Sequence, residues 1–207
     1  MISREQIDEA LIIRHTAEVQ EKLKNARVAI AGLGGLGSNI AVMLTRIGVG
    51  HLHLLDFDRV DITNLNRQQY FMKHVGMFKT QAIKDVLQNI NPYLETECEN
   101  IHVNEENVGN LFKDDDIICE AFDLPENKAM LARKVRELYP EKPFICASGM
   151  SGYGDSNSIV TKKIGNNWYM CGDGGSNSNG GLMSPRVMIC AAHEANLITK
   201  LIVDGKV

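Results

Sequence analysis

Arg27-Val28-Ala29-Ile30-Ala31-Gly32-Leu33-Gly34-Gly35-Leu36-Gly37-Ser38 is the stretch that decides the fold. A short apolar run stops at a cluster of glycines, and Ser38 to Ile47 then reads as a helix ended by Gly48. An apolar run of this length bounded by glycine is a buried strand. Gly32-x-Gly34-x-x-Gly37 between strand and helix fits a nucleotide-binding turn. Glycine permits the tight bend and a close approach of backbone to phosphate, and the free N–H groups of the helix start face the anion. His51 to Leu55 is the next strand. It ends in Asp56, nineteen residues after Gly37, where a carboxylate accepts from two ribose hydroxyls.

Outward from this unit, strands and helices alternate. Lys79 to Ile90 reads as a helix closed by Asn91-Pro92, Thr96 to Ile101 as a strand and Glu105 to Phe112 as a short helix. Asp116 to Ala121 is a strand, Asn127 to Tyr139 a helix before Pro140, and Phe144 to Ala147 a strand. This order predicts an α/β, Rossmann-like fold: a mostly parallel twisted sheet with helices on both faces and right-handed crossovers. Residues 3–24 read as one amphipathic helix, capped by Ser3 with Gln6 and striped by Ile7, Leu11 and Leu23.

The character changes at Ser148. Nine of the eighteen glycines lie between Gly149 and Gly181. Within that region Ser158 to Ile164 and Asn167 to Cys171 suggest a short antiparallel extension joined at Gly165-Asn166. The tract 172–181 has neither period and reads as a mobile loop; a helix follows from Pro185 to about Val203. The expected organisation is one domain over 1–207, with an N-terminal helix in 1–24, a glycine-rich extension in 148–184 and a C-terminal helix in 185–203.

Composition bounds the function. The 207 residues are 44% hydrophobic and 23% charged, with a net charge of −4, so a broad basic nucleic-acid surface is not expected. No stretch approaches the roughly 18 apolar residues of a membrane span, and no apolar signal core follows Met1, so a cytoplasmic protein is expected. The five cysteines form no C-x-x-C pair, which argues against a disulfide framework or a zinc ribbon. Cys119 and Cys146 read as core thiols, and Cys171, beside Gly172-Asp173, as the most exposed one. His51 and His53 alternate along a strand as a zinc pair might, but the sequence offers them no third ligand, so no zinc site is expected. His74 and His193 add nothing.

The glycine turn alone leaves the nucleotide open: a nicotinamide or flavin oxidoreductase needs the same features. The following segment, Asp56-Phe57-Asp58 through Asn64-Leu65-Asn66-Arg67-Gln68 to Val75-Gly76-Met77-Phe78-Lys79, argues for a triphosphate. Arg67 and Lys79 suit oxygens that gain charge as pyrophosphate leaves, and a dinucleotide has no evident use for them there. Each could instead be an ordinary surface cation.

These runs, in this order and spacing, resemble the adenylation domain of the ThiF/MoeB family, bacterial relatives of the ubiquitin-activating enzymes. The match covers residues 20 to 150. The compact length and Gly152-Tyr153-Gly154 resemble the short ThiF-like proteins of thiamine biosynthesis in particular. The resemblance implies ATP bound by Gly32, Gly34, Gly35 and Gly37, its ribose on Asp56 and its phosphates on Asn64, Arg67 and Lys79. It implies Mg²⁺ on Asp123, with Asp58 as the fallback. Relatives have Asp-Asn where this chain has Asp123-Leu124, and Asp123 could instead cap the helix near Glu126.

The implied reaction is adenylation of the C-terminal glycine of a ubiquitin-like, ThiS-like sulfur carrier. The resemblance also implies a homodimer in which Arg14 (or Arg4) acts across the interface, and a cysteine that takes up sulfur, for which Cys171 is the candidate. The alternatives are an NAD- or FAD-dependent oxidoreductase, and a nucleotide-binding protein, non-catalytic or activating another carboxylate.

Overall fold

The computed structural model describes residues 2–176 and 180–207. Seven strands form one sheet: β1 (Arg27–Ala31), β2 (His51–Leu55), β3 (Glu95–Glu99), β4 (Ile117–Glu120), β5 (Phe144–Ala147), β6 (Val160–Gly165) and β7 (Trp168–Gly172). Their spatial order is β3-β2-β1-β4-β5-β7-β6. All pair in parallel except β6, which runs antiparallel to β7. The chain leaves β1 for β2 and β3, then returns to β1's other side as β4, so the strand order reverses between β1 and β4. Such a switch point opens a crevice at the carboxyl ends of the strands.

The helices are α1 (Arg4–His15), α2 (Ala17–Asn25), α3 (Gly35–Arg46), α4 (Lys79–Gln88), α5 (Val108–Leu111), α6 (Pro125–Leu138) and α7 (Ser184–Val203). Alternate strand residues face opposite layers. Val28, Ile30, Leu52, Leu54, Ile117 and Cys119 pack with Leu23 of α2, Ile40 of α3, Ile83 of α4 and Ala191 of α7. Ala29, Ala31, Leu55 and Ile118 pack with Val108 of α5, and with Leu131 and Val135 of α6. Helices therefore cover both faces, as the alternation predicts. No helix among the described residues is long and apolar enough to cross a membrane.

Three expectations need correction. The single helix over 3–24 is two, because Thr16 turns the chain at φ 103° and its hydroxyl accepts the Val19 N–H to start α2. The Ser3–Gln6 capping box forms as read, but α1 buries no residue, whereas Leu23 in α2 is buried. A stripe too sparse to hold one helix against the core thus splits at a polar residue. The short helix of 105–112 shrinks to Val108–Leu111. Most of the tract 172–181 is held by hydrogen bonds: Asp173 Oδ1 accepts N–H groups of Gly175 and Ser176, and Gly152 N–H donates to Gly181 O. The rest of that loop expectation, on Asn177, Ser178 and Asn179, lies outside the described residues.

Candidate nucleotide-binding site

The four glycines of the turn divide by what a side chain would meet. At Gly32, with φ +99°, a Cβ would stand 2.7 Å from Ala121 O, and at Gly37 it would stand 1.8 Å from Gly32 O. These two are needed for the bend itself. At Gly34 the only neighbour within reach among the described residues is Gln68 Nε2, at 3.9 Å, and Gly35 lies beneath the Arg67 stem and Val187. Gly34 therefore keeps an approach open. It also caps α3 with no side-chain hydrogen bond, so the helix start is free to face an anion.

Asp56 emerges from β2 beside this turn and is buried. Its Oδ2 accepts Leu33 N–H at 2.7 Å and its Oδ1 accepts Asp58 N–H at 2.7 Å. Burial raises its pKa, opposed by the Lys79 charge and these two N–H groups. Each oxygen retains acceptor capacity for a further hydroxyl.

The loop from Asp61 to Tyr70 is stapled to the turn by side chains. Tyr70 O–H donates to Leu33 O at 2.7 Å, and Ser38 O–H donates to Gly34 O at 2.6 Å. Asn39 Nδ2 donates to Gly35 O and Arg67 O, while its Oδ1 accepts from Gln69. Arg67 is half-buried, and its Nη1 donates to Asn66 Oδ1 and Thr63 O. Asn64 spends its Oδ1 on the Asp61 N–H, leaving its amide donors for a ligand.

Lys79 differs from a free phosphate-binding cation. It is buried, with Nζ 2.7 Å from Asp58 Oδ2 and 3.7 Å from Asp56 Oδ2. Asp58 thereby serves the lysine rather than standing free as a fallback metal ligand. Asp123 is exposed and follows β4. It does not cap α6, whose N-cap is Leu124 with no side-chain bond. Arg14 is exposed on α1 and makes no hydrogen bond or ion pair among the described residues.

Cys171 must be corrected: it is fully buried, not exposed. Its alternation along β7 turns it under α7, and burial, with the Glu194 charge, pushes its thiol up to about 12. A buried thiol with so little thiolate is inert at neutral pH. Cys146, expected in the core, is half-buried.

Several side chains went unread. Gln68 is buried beside Gly34 and its Oε1 has no hydrogen-bond partner among the described residues; its place directly after Arg67 was the available signal. Glu120, buried at the end of β4, binds Lys128 at 3.0 Å and accepts Phe122 N–H, which stiffens the turn carrying Asp123. Arg186 on α7 donates to Ser151 O, Gly154 O, Asp155 O, Ser158 Oγ and Asp173 Oδ2. It gathers the glycine-rich extension, and backbone N–H groups with Arg186 hold the Asp173 carboxyl well below the usual range. Nothing local in the sequence marks a residue whose five partners lie 13 to 35 positions away.

Comparison with known proteins agrees with this geometry. The chain is 35% identical over 147 residues to the adenylyltransferase and sulfurtransferase UBA4 of Kluyveromyces lactis, covering 70% of this chain and 33% of that protein. It is 37% identical over 120 residues to the molybdopterin-synthase adenylyltransferase of Haemophilus influenzae, covering 58% of this chain and 49% of the relative. The chain thus spans a third to a half of the length of these relatives. The crystal structure of E. coli tRNA N6-threonylcarbamoyladenosine dehydratase, TcdA, with AMP superposes at TM-score 0.88 over 99% of this chain and 98% of that one. At 19% identity this likeness concerns the fold. A sequence model of the ThiF family matches residues 6–206, and the chain belongs to that family.

Proposed function

We propose that the chain binds ATP in the crevice between β1 and β4 and transfers its adenylyl group to a carboxylate. The observation that carries this reading is the buried Asp56, fixed by two N–H groups beside the open face of Gly34, with Lys79 Nζ 3.7 Å away, Gln68 next to Gly34 and the Arg67 stem next to Gly35. Asp56 takes the ribose hydroxyls, and Gly34, Gly35 and the start of α3 take the phosphates. Gln68 turns its unpartnered oxygen and amide toward the same ligand. Asp123, an exposed carboxylate with no protein partner among the described residues, suits a hard cation. It would hold Mg²⁺, which supplies charge neutralisation of the leaving pyrophosphate.

The nucleophile is a carboxylate, ionised at neutral pH, so no general base is needed. One carboxylate oxygen bonds to the α-phosphorus, the bond to the bridging oxygen breaks, and pyrophosphate leaves with its electron pair. Arg67 and Lys79 stabilise the charge that develops on those oxygens. Lys79 reaches them by exchanging Asp58 for phosphate; until then Asp58 holds its Nζ in place.

The substrate best supported is the C-terminal Gly-Gly carboxylate of a ubiquitin-like sulfur carrier, of the ThiS kind used for the thiamine thiazole. Two relatives, from K. lactis and H. influenzae, are named adenylyltransferases, one of them also a sulfurtransferase. The glycine-rich extension, gathered by Arg186, carries little side-chain bulk and would suit the approach of such a tail. We place the protein in the cytoplasm as a homodimer, with Arg14 reaching the partner's site.

ATP–pyrophosphate exchange against Gly-Gly carriers and other carboxylates, including modified tRNA, tests this. Exchange that depends on a carrier is expected. ATP binding with no exchange for any donor would leave a nucleotide-binding protein, and an NADH fluorescence response would favour the oxidoreductase. Mixing Arg14→Ala and Arg67→Ala chains should recover part of the exchange if Arg14 acts across a dimer.

A further inference from the structure

We propose that His53, Glu97 and Glu99 form a binding site for one divalent transition-metal ion of the zinc class, closed across β2 and β3. The proposal uses none of the residues assigned to the nucleotide.

Parallel pairing sets His51 beside Glu95, His53 beside Glu97 and Leu55 beside Glu99. The two-residue period then brings both histidines and all three glutamates to one face of the sheet. One ligand atom from each of His53, Glu97 and Glu99 lies within 4.8 Å of the others, and His53 Nε2 is 3.0 Å from Glu99 Oε1. Nitrogen and oxygen ligands about 2.0–2.2 Å from a tetrahedral zinc are roughly 3.3 Å apart, so small side-chain rotations close the set.

The histidine is aimed. Its Nδ1 lies 2.9 Å from Oδ2 of the buried Asp115, whose Oδ1 is held by Arg27 Nε at 3.0 Å. An imidazole that donates Nδ1–H to a carboxylate presents its Nε2 lone pair outward, the arrangement that supports metal ligation. Arg27 also binds Glu97 and fixes its direction. His51 adds a second imidazole: its buried Nε2 has no hydrogen-bond partner among the described residues and lies 3.9 Å from Glu97 Oε2.

Charge points the same way. Glu95, Glu97, Glu99 and Asp115 meet one permanent cation within the cluster, Arg27, so four acids against one base leave −3 while the imidazoles are neutral. Protons on the histidines or a divalent cation must offset that excess. A nitrogen ligand with carboxylates favours zinc-class ions over magnesium or calcium. No third ligand for His51 and His53 is visible along the sequence because Glu97 and Glu99 lie more than forty residues away, on the neighbouring strand. Since β3 is the edge of the sheet, the ion would tie that edge to β2.

The test is titration of the chelator-treated, untagged full chain with Co²⁺, followed by visible absorption, with Zn²⁺ competition. One saturable Co²⁺ per chain, displaced by Zn²⁺, is expected. Glu97→Gln with Glu99→Gln, both partly exposed positions, should weaken binding at least about 100-fold, and Asp115→Asn about 10–100-fold. Absence of stoichiometric Co²⁺ binding overturns the proposal and leaves a charged network closed by protonated His53. Binding unchanged in the double glutamine variant overturns it too. So does binding lost on Asp123→Ala, which would assign the ion to the nucleotide crevice.

Discussion

The β1–α3–β2 unit and the extension from Ser148 to Ser184 are linked through neighbours of each: Val187 of α7 lies against Gly35, and Asn66, in the loop after β2, donates from Nδ2 to Leu182 O. They are built by opposite means. The first is a parallel ladder with a glycine turn whose tight contacts lie close to the turn or across the neighbouring strand end. The second joins the sheet through β7, adds the antiparallel β6 and gathers its loops on the buried Arg186 and its five acceptors. The difference separates redundancy from dependence: many backbone bonds share the first region, whereas one guanidinium organises the second.

The largest expected effect follows from that dependence. Arg186→Ala removes the charge beside Asp173 and the five hydrogen bonds the buried guanidinium donates, a loss on the order of 3–5 kcal/mol. Hydrogen exchange should rise across 151–158 and 173–176 while amides of β1 and β2 stay protected. Equal loss of protection in both regions would mean that the two are one cooperative unit, and the contrast would fail.

The nucleotide unit should break only at chosen points. Gly37→Ala forces a Cβ onto Gly32 O and should cost about 3 kcal/mol, measured by denaturant unfolding. Gly34→Ala meets open space and should leave stability within about 0.5 kcal/mol, yet weaken ATP binding. A Gly34→Ala protein that binds ATP normally would contradict the open-approach role.

A pH effect comes from Glu194 of α7, fully buried with Oε2 unpartnered. Burial raises its pKa well above the ordinary 4.5, against the opposing charge of Lys128. A raised carboxyl pKa stabilises the fold below the unfolded value and loses that contribution as pH rises through the folded one. Glu194→Gln should therefore have the higher Tm at alkaline pH, with the gap closing toward pH 4. A gap independent of pH would contradict a protonated Glu194. The smallest effect is expected at Cys171: Cys171→Ala should leave exchange unchanged, and the native thiol should resist labelling until the protein unfolds.

What was legible follows the same division. The succession of strands and helices, the glycine turn and Asp56 are written in local period and spacing. Arg67 and Lys79 were legible as cations suited to a triphosphate, and Asp123 was singled out only through a resemblance, but their surroundings were not legible: Lys79 is held by Asp58, and Gln68 is buried beside Gly34. Thr16 hid the break between α1 and α2, since a polar residue in a weak stripe carries no turn signal. Cys171 looked exposed because glycines follow it, yet β7 carries it into the core. Arg186 and the His53 cluster depend on partners distant in sequence, which only the folded register brings together.

The central claim is that the crevice beside Gly34 and Asp56 transfers an adenylyl group and does not merely hold a nucleotide. Carrier-dependent ATP–pyrophosphate exchange, measured with ATP affinity for the parent and for Arg67→Ala, tests it most directly. Exchange should fall about 10²–10³-fold in the variant while ATP affinity changes by less than about tenfold, because the guanidinium acts on charge that develops only in the transition state. Equal losses of exchange and affinity, or a parent protein that binds ATP and exchanges no pyrophosphate with any carboxylate, would contradict it.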